Sequence, residues 1–150
     1  MRNLLLLSFV VALFGACTKV DDTDYAARDT KIIEDYIAEH GYTASSTPEG
    51  IYYVVDNPGG NSHPNTASYV KVHYKGYLTD GTVFDQTDGT AVSFYLYNTI
   101  KGWQIGIPLF GKGGKGKLFI PSDYAYGSSS TDDIPAHSVL IFDIVLSDFD

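Results

Sequence analysis

The residue types that usually make or break bonds are sparse in this sequence, and they are not grouped. A single cysteine, Cys17, excludes an internal disulfide and any cysteine-rich zinc or redox centre. His40, His63, His73 and His137 are far apart, and no pair has the i, i+4 spacing that would present both on one helix face, so no metal is expected. Ser128-Ser129-Ser130 lacks the strand-turn-helix setting of a nucleophile elbow, and the adjacent Asp132-Asp133 reads as solvated charge rather than as an acid/base couple. Gly111-x-Gly113-x-x-Gly116 has the letters of a dinucleotide fingerprint. A β run, Lys117-Leu118-Phe119-Ile120, follows where a helix is required, so the glycines read as a solvated loop before a strand and no cofactor is expected. What remains is a set of aromatics on separate segments: Tyr74, Phe84, Trp103, Tyr126 and Phe142. Such rings either fill a closed core or wall a cavity for an apolar group, and a site built from them works without nucleophile, metal or strong base. Trp103 follows Gly102 at a helix start, which favours the cavity because a glycine lets another chain approach closely.

These rings must be positioned by short elements. Alternation over Ser68 to Leu78 sets Tyr69, Lys71, His73 and Lys75 on a wet face and Val70, Val72, Tyr74 and Gly76 on a core face of one strand. Asp80-Gly81 signals a hairpin that returns through Val83-Phe84-Asp85. Further strands are expected at Ile51 to Val55, Val92 to Leu96, Lys117 to Ile120 and Val139 to Leu146, with a short helix within Thr99 to Leu109 and a turn over Pro121 to Gly127. Five or more short strands with only one short helix between them predict an antiparallel α+β domain. Residues 24–49 form an N-terminal helix and a linker. Tyr25, Ile32, Ile33, Tyr36 and Ile37 recur at helical spacing from Asp24 to His40, and Gly41 can end the run. The stripe is narrow, which suits a helix packed on the main domain or a partly exposed spacer.

The charge balance is −8, from 18 acids and 10 bases, so a phosphate backbone meets net repulsion and no nucleic-acid partner is expected. Residues 1–16 read as an export signal. Arg2 precedes an apolar run from Leu4 to Phe14 broken only by Ser8, too short for a hydrocarbon core of roughly 30 Å, and small Gly15-Ala16 follow. Leu13-Phe14-Gly15-Ala16-Cys17 resembles a lipobox, with Phe14 an unusual residue three before the Cys. Cys17 is therefore the expected lipidation site, residues 17–23 a polar tether, and the outer membrane the expected address of a lipid-anchored envelope protein. The alternative is a soluble secreted protein whose Cys17 merely flanks the cut.

The blocks Val72-His73-Tyr74-Lys75-Gly76, Asp80-Gly81-Thr82-Val83-Phe84-Asp85 and Phe94-x-Leu96-x-x-Thr99-Ile100-Lys101-Gly102-Trp103 resemble FKBP-type peptidyl-prolyl cis-trans isomerases. So do Lys117-Leu118-x-Ile120-Pro121, Asp123-Tyr124-Ala125-Tyr126-Gly127, Ile134-Pro135-x-His137 and Leu140-x-Phe142-Asp143-Ile144-x-Leu146, in family order over roughly residues 50–150. The resemblance implies a twisted antiparallel sheet wrapped around one short helix, here with the extra N-terminal helix. It implies catalytic roles for Tyr74, Phe84, Asp85, Trp103, Tyr126 and Phe142: a prolyl ring on the Trp103 indole, Tyr74, Phe84 and Phe142 as walls, the Tyr126 hydroxyl on a neighbouring carbonyl, and Asp85 beside the twisting amide. Val92, Thr99, Ile100 and Ile134 are implied as substrate-binding, with Ile134 lending a backbone N–H to a substrate carbonyl. Val92 and Thr99 replace a larger aromatic and a Val found in many members, departures that bear on substrate breadth and macrolide affinity rather than on activity. The partners implied are proline-containing polypeptides and macrolide immunosuppressants, met by a monomer.

Two other functions are open to the sequence. A membrane-tethered peptide-binding or chaperone-like module would hold chains in the pocket without turnover. A surface glycan-binding lipoprotein would use the 12 tyrosines to stack on sugars.

Overall fold

The computed structural model describes residues 23–150. Cys17, the export signal and most of the tether lie outside the described residues. In chain order the elements are α1 (Tyr25–Glu39), β1 (Ser45–Ser46), β2 (Tyr52–Asn57), β3 (Tyr69–Tyr77), β4 (Val83–Gln86), β5 (Val92–Tyr95), α2 (Lys101–Gly106), β6 (Gly114–Ile120) and β7 (Leu140–Phe149). The strands form one seven-stranded antiparallel sheet in the order β1-β2-β6-β7-β3-β4, with β5 paired to the first half of β3. This is the α+β architecture expected from the alternation and turn signals.

Both helices are explained by what they bury. α1 starts where Asp24 caps it, its Oδ1 accepting the Ala27 N–H at 3.0 Å. It ends in a left-handed Gly41 (φ +67°), with the Gly41 N–H on the Ala38 carbonyl and the Tyr42 N–H on the Ile37 carbonyl, a Schellman stop. Its narrow stripe packs Ile33 against Tyr77, Phe119, Val139 and Ile141 on the outer face of the sheet. That face is therefore wet at Lys71 and Lys75 but covered at Tyr77, a correction to the simple wet-and-core alternation of β3. α2 lies on the inner face, where Trp103 and Ile107 join Val70, Val72, Leu118, Ile120, Phe142, Ile144 and Leu146 in the main core.

Two further expectations change. The run from Gly111 to Gly116 is not a solvated loop: Gly114 already begins β6, and Gly111 and Gly116 are buried. A Cβ at Gly111 would stand 1.8 Å from the Gly60 carbonyl oxygen, and one at Gly116 1.9 Å from that of Val54, so these positions are glycine because backbone crosses backbone there. The linker also contains β1, whose Ser45 and Ser46 pair with Tyr53 and Tyr52.

On the outer face Lys117 forms an ion pair with Asp143 and donates to the Tyr77 hydroxyl at 3.3 Å. Burial works against the Lys117 ammonium, but its bond to Asp143 and the neighbouring Tyr77 outweigh this and leave its pKa raised. Burial and the Asp143 charge push the Tyr77 phenol up to about 12. Both groups hold their protons more tightly folded than unfolded, so their stabilisation is complete below the unfolded values near pH 10 and is lost as pH rises through the folded ones. Urea unfolding is expected to give similar stability at pH 7 and 9 and lower stability at about pH 11. Asp143→Asn, which removes the charge lifting both groups, should make that alkaline decline shallower than in the wild type; an equally steep decline would show that this triangle is not its source.

Candidate active site

An open cavity of about 640 Å³ lies between α2 and the inner face of the sheet. It is within the size range of small-ligand sites. Strands β3, β4 and β7 form its sheet side. Tyr74 comes from the core face of β3 and Phe142 from β7, where it pairs with Gly76. Asp85 also pairs with Gly76, but Val83 pairs with Tyr77, so the ladder skips Phe84 in a bulge. The bulge lets the consecutive Phe84 and Asp85 both line the cavity, which strict alternation forbids.

The rings form an edge-to-face box. Trp103 meets Tyr74 at 5.0 Å between centroids (85°) and Phe142 at 5.2 Å (78°), while Phe84 meets Phe142 at 5.6 Å (84°). Trp103 and Phe142 are each only 5% exposed yet both line the cavity. Gly102, expected to admit another chain, instead admits this chain's own sheet: a Cβ there would stand 2.4 Å from Ile120, and one at Gly106 2.6 Å from Leu118. The two glycines, one helical turn apart, let α2 lie against β6.

Polar groups sit at the edges of the box. The Tyr74 hydroxyl donates to Asp85 Oδ2 at 2.6 Å. Burial first, then this bond and the Asp85 charge, raise the Tyr74 pKa, so the phenol stays protonated and keeps donating. Tyr126 is 44% exposed at the rim, close enough to add to that shift. Before α2, Thr99 Oγ1 donates to the Leu96 carbonyl at 2.7 Å, and Gln104 Nε2 donates to the Thr99 carbonyl at 2.8 Å. These bonds fix the wall formed by Asn98, Thr99 and Ile100.

Nine of the ten expected catalytic and substrate-binding residues line this cavity. Val92 does not: it opens edge strand β5 opposite Val72 and is 40% exposed. The place expected for it is taken by Phe94, two residues on, whose ring lies 5.5 Å from Trp103. Ile134 lines the cavity, but its N–H already donates to Thr131 Oγ1 at 3.0 Å and is not free for a substrate carbonyl. The Ile100 N–H, at the cap of α2, has no acceptor among the described residues and is the open donor of the wall. Asn98, Thr131 and Asp133 also line the cavity and were not expected to. Asp133 is exposed as its reading as solvated charge implies, but it is solvated at the rim.

A bulged antiparallel sheet folded around one short helix, with a ring-walled cavity between them, defines the class of the protein. Residues 60–147 match the FKBP-type peptidyl-prolyl cis-trans isomerase family, and the chain belongs to that family. It is 39% identical over 139 residues to the FKBP-type peptidyl-prolyl cis-trans isomerase FkpA of Aeromonas hydrophila, a match covering 90% of this chain and 52% of that protein. The Escherichia coli K12 relative of the same name is 40% identical over 130 residues, covering 85% of this chain and 47% of that one. The chain thus spans about half the length of these curated relatives. Among solved structures, FkpA from Escherichia coli superposes with a TM-score of 0.74 at 37% identity, covering 85% of this chain and 60% of that one. A peptidyl-prolyl cis-trans isomerase from Pseudomonas syringae pv. tomato superposes with a TM-score of 0.71 at 30% identity, covering 83% of this chain and 96% of that one.

Gly76 shows how tightly the box is built, because a Cβ there would stand 2.6 Å from the Phe84 ring and 2.8 Å from that of Phe142. Gly76→Ala is expected to displace both rings, lower stability by about 1 to 3 kcal/mol in urea unfolding and alter the near-ultraviolet circular dichroism. An unchanged aromatic spectrum would show that the box is looser than its geometry states.

Proposed function

We propose that this chain accelerates rotation about X-Pro bonds in exported polypeptides at the cell envelope, by enclosing the prolyl ring in the apolar cavity over Trp103. The observation that carries the reading is that cavity: it is open, walled by buried rings, and edged by the unclaimed Ile100 N–H and the rim hydroxyl of Tyr126. A prolyl bond crosses a barrier of about 18 to 20 kcal/mol because resonance keeps the amide planar, so unassisted rotation takes tens of seconds or longer. No bond has to break. The planar amide carries more charge separation than the twisted one, and transfer from water to a ring-walled cavity raises the planar form relative to the twisted form. The Ile100 N–H and Tyr126 hydroxyl hold the flanking carbonyls, and Asp85, oriented by Tyr74, stands beside the rotating amide.

In this reading residues 50–150 are the isomerase unit, working as a monomer, and the same cavity accepts macrolide immunosuppressants. Lipidation at Cys17 supplies the anchor, supported by the short apolar run and the lipobox-like residues before it; no helix among the described residues is long and apolar enough to cross a membrane. A tethered catalyst stays near newly exported clients.

A protease-coupled assay with a proline-containing peptide is expected to show saturable acceleration by residues 18–150. Phe84→Ala and Asp85→Ala should each lower kcat/KM by about tenfold or more. Wild-type rates equal to the uncatalysed one would remove the enzyme reading, and client holding that persists in an inactive Asp85→Ala variant would separate a chaperone role from turnover.

A further inference from the structure

The family match begins at residue 60, so α1 lies outside it, yet the first turns of α1 reach the segment that forms one wall of the cavity. That segment, residues 122–138, carries Tyr126, Thr131, Asp133 and Ile134 into the cavity lining. Its start is held by Asp29, which is 1% exposed and accepts the Ser122 N–H at 2.7 Å. Its end is held by Arg28. The guanidinium bonds Asp29 Oδ1 at 3.0 Å through Nε and at 2.6 Å through Nη2, and Nη2 also donates to the His137 carbonyl. Tyr25 lies flat on the His137 imidazole, 3.6 Å between centroids and 6° from parallel.

His137 is costly to hold in place. Its φ of +56° is in the left-handed region, which disfavours a residue with a Cβ, and its buried Nδ1 has no partner among the described residues. Its N–H donates to the Gly127 carbonyl at 2.7 Å, closing the segment on itself immediately after Tyr126. A residue with an unfavourable backbone and an unpaired buried nitrogen keeps that state only where its surroundings over-determine it. Here the contacts from α1 do so.

We propose that Tyr25, Arg28 and Asp29 are positioning residues for the isomerase site: α1 clamps both feet of residues 122–138 and thereby fixes Tyr126 and Ile134 opposite Trp103. This rests on the isomerase reading. None of the three lines the cavity, so their effect passes through the geometry of the segment they hold.

The test uses Tyr25→Ala and Arg28→Gln in the full chain, with Tyr25→Phe as the conservative variant and Ile37→Ala as a control at the far end of α1, where it packs with the outer-face core. Two readouts are taken: hydrogen-exchange protection of the Ser122 and His137 amides, and kcat/KM for a proline peptide. Tyr25→Ala and Arg28→Gln are expected to lower both, kcat/KM by between about threefold and tenfold. Tyr25→Phe, which keeps the stacked face, and Ile37→Ala, which loosens α1 without touching the segment, should leave both near wild type. Unchanged protection in the first two variants would overturn the clamp, and lost protection with unchanged kcat/KM would overturn the positioning role. If Arg28→Gln does not fold, Tyr25→Ala decides alone. A wild-type chain with no isomerase activity would refute the functional reading instead, and amide protection would then decide the clamp by itself.

Discussion

The contact between α2 and β6 is the constraint on which the rest depends. Gly102 and Gly106 stand where any side chain would collide with Ile120 and Leu118, so the helix lies closer to the sheet than a helix carrying side chains on that face could. That approach fixes the height of Trp103, which follows Gly102 directly. With Trp103 held low, the rings of Tyr74, Phe142 and Phe94 meet it edgewise or tilted, and a volume remains above it that none of them fills. A bulkier helix face would lift the indole into that volume and turn the cavity into core.

The proposed chemistry draws on what borders the space. A reaction that only rotates a bond needs the right medium, a fixed orientation and room to turn. The rings supply the medium. The bulge at Phe84 supplies a ring and a carboxylate from adjacent residues, and Tyr74 occupies one oxygen of that carboxylate so that its direction is set. The turn before α2, tied by Thr99 and Gln104, leaves the Ile100 N–H pointing to no acceptor of its own. The remaining wall, residues 122–138, is held from outside the family domain by α1, so the same helix that covers the outer face also bears on the inner one.

Much of this was readable from residues, and the parts that were not share a cause. The alternation of β3, the Asp80-Gly81 turn and the Asp24 and Gly41 limits of α1 are local signals, and each element forms where its signal lies. What depends on a partner distant in sequence was not readable. The glycines from Gly111 to Gly116 look like a loop until Gly60 and Val54 are seen against them. Gly102 announces a close approach but not to which strand. The resemblance implied Ile134 as the backbone donor, and nothing local in the sequence shows that the Thr131 hydroxyl already takes its N–H. Val92 and Phe94 share the parity of one strand, but Val92, at the start of β5, stays outside the cavity that Phe94 lines. Nothing local marks Asp29 among the acids of α1, and its burial depends on Ser122, 93 residues away.

An X-Pro bond whose prolyl ring enters the cavity over Trp103 should rotate faster there. Exchange spectroscopy by nuclear magnetic resonance on a proline peptide mixed with substoichiometric protein measures both parts at once. Accelerated exchange between the cis and trans prolyl signals is expected, together with transferred Overhauser contacts from the prolyl ring protons to the single indole. Faster exchange without contacts to the indole, or contacts without faster exchange, would contradict this expectation.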